Sequence, residues 1–137
     1  FAGDVKKVDT GILSELIMKG VVPVMAPLTH DGNGNMLNTN ADTIASEVAK
    51  ALAGSFEVTL TFCFEKKGVL SDPEDEESVI KEITPATYEV LKSDGTVSGG
   101  MIPKLDNAFR ALEAGVSKVV ITEAGELGKD TGTIVHL

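Results

Sequence analysis

Apolar positions in this chain recur with two different periods, and the periods alternate. Ile12, Leu13, Leu16 and Ile17 share one helical face after Thr10, which suits an N-cap, and Gly20 closes the segment. Ile44, Val48 and Leu52 repeat that spacing in a helix from about Asn40 to Leu52, with Thr39 or Asn40 as cap and Asp42 at the positive dipole end. Thr84-Pro85 is a cap followed by proline at the first helical position, and that helix should run to Asp94-Gly95. Gly99-Gly100 opens a fourth helix, with Leu105, Ala108, Phe109 and Leu112 on one face.

Between these helices lie short apolar runs. Val21 to Ala26, Phe56 to Phe64 and Lys118 to Thr122 read as strands buried on both faces, although Pro23 argues for an edge or a strand start in the first. Val5 to Val8 and Thr133 to Leu137 are shorter candidates. Asp31-Gly32-Asn33-Gly34 suits a tight hairpin turn within a loop from Leu28 to Asn38. Gly68-Val69-Leu70 and Val79-Ile80 could pair as a hairpin around an acidic turn. Strands alternating with helices predict an α/β fold, with a mostly parallel sheet and helices on both faces. Ligands in such sheets sit at the carboxyl ends of the strands, so the loops after Ala26, Phe64 and Thr122 are the places to look.

Composition narrows the function. The 137 residues suffice for one domain and one core. Twelve basic against 21 acidic residues give a net charge of −9, which repels nucleic-acid phosphates and anionic membranes. The absence of Trp and the single Tyr remove the stacking platforms that single strands need. No apolar run approaches the roughly 18 residues of a membrane span. Phe1-Ala2-Gly3-Asp4 lacks the regions of a signal peptide. Cys63 is the one cysteine and falls in an apolar run, so it reads as a core residue in a reducing, cytoplasmic compartment. A first residue other than Met, leading straight into strand-like sequence, reads as a piece of something longer.

Three segments could carry chemistry. In Ser98-Gly99-Gly100-Met101-Ile102-Pro103-Lys104, two glycines allow close backbone approach and the helix behind them offers N–H groups to an anion. Lys104 would sit in the first turn, where a cation is disfavoured by ~0.3–1 kcal/mol. A phosphate would offset that, and a solvent-facing lysine on an ordinary helix fits the spacing equally well. Asn38-Thr39-Asn40-Ala41-Asp42 brings polar side chains to a loop-to-helix junction, where plain capping is the simpler reading of the residues alone. Lys66 and Lys67 follow a strand and could meet phosphates, although by charge alone they form an ordinary turn.

Other features are set aside. Asp72 to Glu77 lacks the spacing of a calcium loop. Gly125 to Lys129 is too short for a P-loop, and Asp130 stands where Ser or Thr would be needed. His30 and His136 are isolated from other metal-ligand types.

Taken together, Phe1-Ala2-Gly3-Asp4-Val5, Val22-Pro23-Val24-Met25-Ala26-Pro27, Asn38 to Asp42 and Ser98 to Lys104 resemble the N-acetylglutamate kinase family of the amino acid kinase superfamily. The last two segments are specific in combination. The resemblance implies a three-layer α/β/α open, mostly parallel sheet, the carbamate kinase-like fold, with residues 1–137 forming its C-terminal nucleotide-binding half and the N-terminal substrate domain absent. It implies ATP-dependent phosphorylation of the side-chain carboxylate of N-acetylglutamate, or of N-succinylglutamate, in arginine biosynthesis. A non-catalytic binding module on the same fold is the other reading.

Under that resemblance Lys104 stabilises transition-state charge and Asp42 organises the catalytic lysines. Asn38, with Asn40 beside it, binds the amino-acid substrate. Glu65, Lys66, Lys67, Gly68, Val69 and Leu70, with Thr96, Val97 and Ser98, form the nucleotide-binding stretches. Mg2+ would enter with ATP, held by phosphates and water, and the intact protein is expected to be a homo-oligomer. One departure stands out. Family members carry Ser/Thr-Asp-Val where this chain has Phe64-Glu65-Lys66. A Gly-rich phosphate-binding segment and a second catalytic lysine, which the family supplies from its N-terminal half, are not in this sequence.

Overall fold

The computed structural model describes residues 2–129 and 131–137. Phe1, which opens the first resembling segment, and Asp130 of the P-loop-like segment lie outside the described residues. Among these residues four α-helices and six strands follow in the order α1 (Thr10–Met18), β1 (Leu28–His30), β2 (Met36–Asn38), α2 (Ala41–Leu52), β3 (Thr59–Phe64), β4 (Glu82–Ile83), α3 (Pro85–Ser93), α4 (Met101–Glu113), β5 (Lys118–Glu123) and β6 (Thr133–Val135), with a 3-10 turn at Ala124–Glu126 after β5.

The main sheet has strand order β3-β5-β6-β4. β3 runs parallel to β5 in the register Thr59↔Lys118 to Phe64↔Glu123, β5 is antiparallel to β6, and β6 is parallel to β4. Two of three pairings are therefore parallel, as the alternation of periods predicts. α2 and α4 pack side by side, α2 against β3 and α4 against β5 and β6. Between them and the sheet lies a core that includes Leu60, Phe62, Ile83, Leu105, Ala108, Val119, Ile121 and Val135. Burying each of the larger side chains contributes ~1.5–3 kcal/mol.

Local chemistry explains most element boundaries. Asn40 caps α2, its Oδ1 accepting from the Thr43 amide at 3.0 Å. Thr84 caps α3 in a reciprocal box with Thr87, followed by Pro85. At α1 the cap is Asp9, whose carboxylate accepts from the Ile12 amide at 3.1 Å, rather than Thr10. A carboxylate is the better partner for the positive helix end. The turn Asp31 to Gly34 joins β1 and β2 as an antiparallel hairpin, so much of the expected 28–38 loop is paired.

Other expectations fail, each for its own physical reason. Val21 to Ala26 is not a strand. Val22 and Val24 are 82% and 94% exposed, and no described element covers them. Val5 to Val8 is irregular, with pairing confined to an isolated bridge between Ala2 and Asn38. The strand expected from Phe56 starts at Thr59, because the Ser55 and Phe56 amides still donate to Leu52 at the end of α2. Cys63 is exposed rather than in the core. The two-residue alternation of β3 turns Leu60 and Phe62 toward the helices and Cys63 to the opposite face. A further strand, β4, carries only two residues and has no pattern to reveal it. The expected hairpin between 68–70 and 79–80 reduces to one bridge, Leu70↔Val79, with the Ile80 amide donating to Val69 at 2.8 Å.

Candidate functional site

α2 and α4 lie side by side with their first turns carrying Asp42 and Lys104, residues 62 apart in sequence. The Lys104 ammonium donates to Asp42 Oδ2 at 2.6 Å. The Lys104 side chain is 11% exposed and that of Asp42 38%, so the pair sits at the rim of the core rather than inside it. The Lys104 ammonium also stands over the Phe62 ring, 4.8 Å from its centroid.

The entrance to α4 is open. Gly100 is its N-cap, with no side-chain hydrogen bond. A Cβ placed on Gly99 or Gly100 would meet nothing within 4 Å, and Gly99 has φ +55°. The amides of Met101 and Ile102 turn back to Ser98 and Gly99 carbonyls at 3.2 and 3.3 Å, and Pro103 has no amide to offer. Among the described residues the amides of Gly99 and Gly100 make no hydrogen bond. The anion-binding capacity expected of this turn therefore rests on these two amides and on Lys104.

Asn38 ends β2, exposed, its carbonyl accepting from the Gly3 amide at 2.9 Å. Asn40 spends its side-chain oxygen on capping α2. They stand four and two residues before Asp42 in the chain.

The stretches expected to bind nucleotide divide by burial. Glu65 is exposed, and Lys66 pairs with Glu76 at 3.3 Å. Lys67 pairs with Glu77, an interaction that holds the Lys67 ammonium above its usual range and the Glu77 carboxyl below its own. Gly68 is required by packing, since a Cβ there would stand 2.8 Å from Thr133 Oγ1. Val69, Leu70 and Val97 are buried in the core, so only their backbones could meet a ligand. Thr96 donates its amide to Asp94, which keeps that carboxyl below the usual range. Ser98 is exposed at the entrance to α4.

Residues 1–123 match the amino acid kinase family. The chain belongs to the amino acid kinase family. Among curated relatives of this family member, the acetylglutamate kinase of Bacteroides thetaiotaomicron is 64% identical over 133 residues, 97% of this chain and 52% of the relative. The chain thus spans about half the length of the curated relatives it matches. The solved structure of smu.665 from Streptococcus mutans UA159 is 31% identical with a TM-score of 0.82, over 99% of this chain and 51% of that one. A Giardia carbamate kinase, 21% identical with a TM-score of 0.67 over 91% of this chain and 46% of its own, shares the fold. The α/β, mostly parallel architecture expected from the alternating periods is shared with these two structures.

The residue that sequence reasoning missed is Phe62. Its signal was available in part. The period of β3 puts it on the helix-facing side, two residues before the strand's carboxyl end. What the period does not contain is the reach of Lys104 across from α4.

Proposed function

We propose that the intact protein transfers the γ-phosphoryl group of ATP to the side-chain carboxylate of N-acetylglutamate, giving an acyl phosphate and ADP, as a step of arginine biosynthesis in the cytoplasm. A carboxylate oxygen forms the new P–O bond as the bond to the β,γ-bridging oxygen breaks. The observation that carries this reading is the Lys104–Asp42 pair at 2.6 Å beside the glycine-opened start of α4. Lys104 has one of its three donors on Asp42, which leaves donors for phosphoryl oxygens on which charge develops. Asp42 keeps the ammonium oriented. The names of the curated relatives support the same reaction.

The site fits ATP better than a dedicated metal cage. Asp42 is already committed to Lys104, and among the described residues no group of three His, Cys, Asp or Glu side chains converges. Mg2+ would arrive with ATP, held by phosphate oxygens and water, and would neutralise charge on them. Asn38 and Asn40 are assigned to the amino-acid substrate, and residues 65–70 and 96–98 to the nucleotide. Residues 1–137 are read as the nucleotide-binding half of a homo-oligomeric enzyme. The exposed apolar run at Val22 and Val24 favours that reading, because a second half would cover it.

Incubating the intact protein with ATP, Mg2+ and N-acetylglutamate should give hydroxylamine-trappable acyl phosphate, and the 137-residue chain alone should give little. N-succinylglutamate in a parallel reaction identifies the acyl group. ATP binding without any acyl phosphate from either substrate would overturn the kinase reading in favour of a binding module. Val24→Lys tests the division into halves: it should leave the stability of the isolated chain within about 0.5 kcal/mol and cost the intact protein about 1–2 kcal/mol in urea unfolding. Equal effects in both would refute the division.

A further inference from the structure

Lys104 occupies an unusual position for a cation. It lies in the first turn of α4, where the helix dipole opposes it, and its side chain is 11% exposed. Two groups hold it there: the Asp42 carboxylate at 2.6 Å and the face of the Phe62 ring at 4.8 Å. They differ in kind. Asp42 is 38% exposed and takes one N–H while adding a negative charge. Phe62 is 3% exposed, in a strand paired on its neighbour Ile121, and carries no net charge.

We propose that Phe62 is a positioning residue for Lys104, its ring face fixing the ammonium at the sheet rim without neutralising it. The proposal rests on the kinase reading above. The negative face of an aromatic ring attracts a cation more strongly as the cation is desolvated, and the Lys104 side chain is only 11% exposed. It accepts no strong hydrogen bond, so the ammonium keeps donors for an incoming anion. A second carboxylate at position 62 would hold Lys104 as firmly and cancel the charge that a phosphoryl group needs. A leucine would fill comparable space with no quadrupole, leaving Asp42 alone to orient a flexible four-carbon stem.

The test uses the intact protein with three replacements at position 62: Phe62→Leu, Phe62→Tyr, and a pentafluorophenylalanine that keeps the ring's shape while reversing its quadrupole. With Phe62→Leu and with the fluorinated ring, kcat should fall ~3–30-fold, the range a cation–ring contact spans, with KM for ATP and the acylated glutamate within about twofold. Phe62→Tyr should restore kcat to within about twofold. A purely structural role predicts no loss with the fluorinated ring, and wild-type kcat in that variant overturns the proposal. That variant also covers a failure of Phe62→Leu to fold. A second readout is independent of turnover: the Lys104 ε-methylene proton resonance, assigned by its loss in Lys104→Ala, should lie upfield under the ring and return toward its ordinary shift in Phe62→Leu. An ordinary shift in wild type overturns the contact itself. Absence of turnover in wild type with the upfield shift present overturns the kinase reading and leaves the contact standing.

Discussion

Replacing Lys104 with methionine separates what this side chain does for the fold from what it does for chemistry. Methionine keeps the apolar stem and removes the ammonium. Three effects on stability follow from its surroundings. The partly exposed pair with Asp42, at 2.6 Å, contributes about 1 kcal/mol. The contact with the Phe62 ring contributes about 1 kcal/mol more. Removing a cation from the first turn of α4 returns about 0.5 kcal/mol, because the dipole opposed it. The net loss is about 1–2 kcal/mol, a fall in Tm of roughly 3–6 °C for a domain of this size. The effect on turnover should be far larger. A donor aimed at developing charge is worth about a hundred- to a thousandfold in kcat. Thermal unfolding with steady-state kinetics on the intact protein measures both. If Lys104→Met keeps kcat within tenfold while ATP binding weakens, Lys104 binds ground-state phosphate and does not stabilise the transition state. A Tm loss above about 15 °C would mean that the pair is a structural keystone, and the functional argument would lose its basis.

Three further outcomes can be measured. Thr133 is fully buried, accepts from the Val69 amide at 2.8 Å and donates to the Ile80 carbonyl at 2.7 Å, so Thr133→Val should cost about 2–4 kcal/mol in urea unfolding, with Thr133→Ser recovering most of it. Burial, and next the hydrogen bond its hydroxyl donates to Asp106 at 2.8 Å, push the Tyr88 phenol well above its ordinary value. The folded state then keeps a proton that the unfolded chain loses above pH ~10, so stability should fall by about 1.4 kcal/mol per pH unit beyond that point; Tyr88→Phe should remove this slope, and an unchanged slope would refute the assignment. Gly100 has φ −67° and open space around it, so Gly100→Ala should leave Tm within about 2 °C yet raise KM for ATP, and an unchanged KM would show that no phosphate approaches there.

Where the chain carries its own partner within a few residues, sequence was a good guide. Asn40 bonds Thr43, Thr84 bonds Thr87, and Asp31 to Gly34 turns a hairpin, all through contacts three or four residues long. Burial of the Val21–Ala26 run was misjudged because apolar composition states a need for cover and does not supply it. Cys63 was misjudged because the run was read as buried on both faces, whereas β3 buries Leu60 and Phe62 and leaves Cys63 on its exposed face. The Lys104–Asp42 pair lay between these cases. Each residue had a local reason to stand at a helix start, and only the resemblance joined them before the fold did. Phe62 completed the arrangement from a third element, beyond what either helix motif contains.

Several contacts between elements are distant along the chain. Asp42 to Lys104 spans 62 residues, Val69 to Thr133 spans 64, and Thr133 to Ile80 spans 53. Closing loops of that length costs entropy before any contact repays it, and the pairing of β3 with β5 closes a loop of similar length, from Thr59 to Lys118. The hairpin of β1 and β2, closed by a local turn, should therefore fray at a lower free energy than the central strands. The Lys104–Asp42 pair thus depends on the same long-range closure that brings the central strands together, so its geometry is tied to the integrity of the sheet.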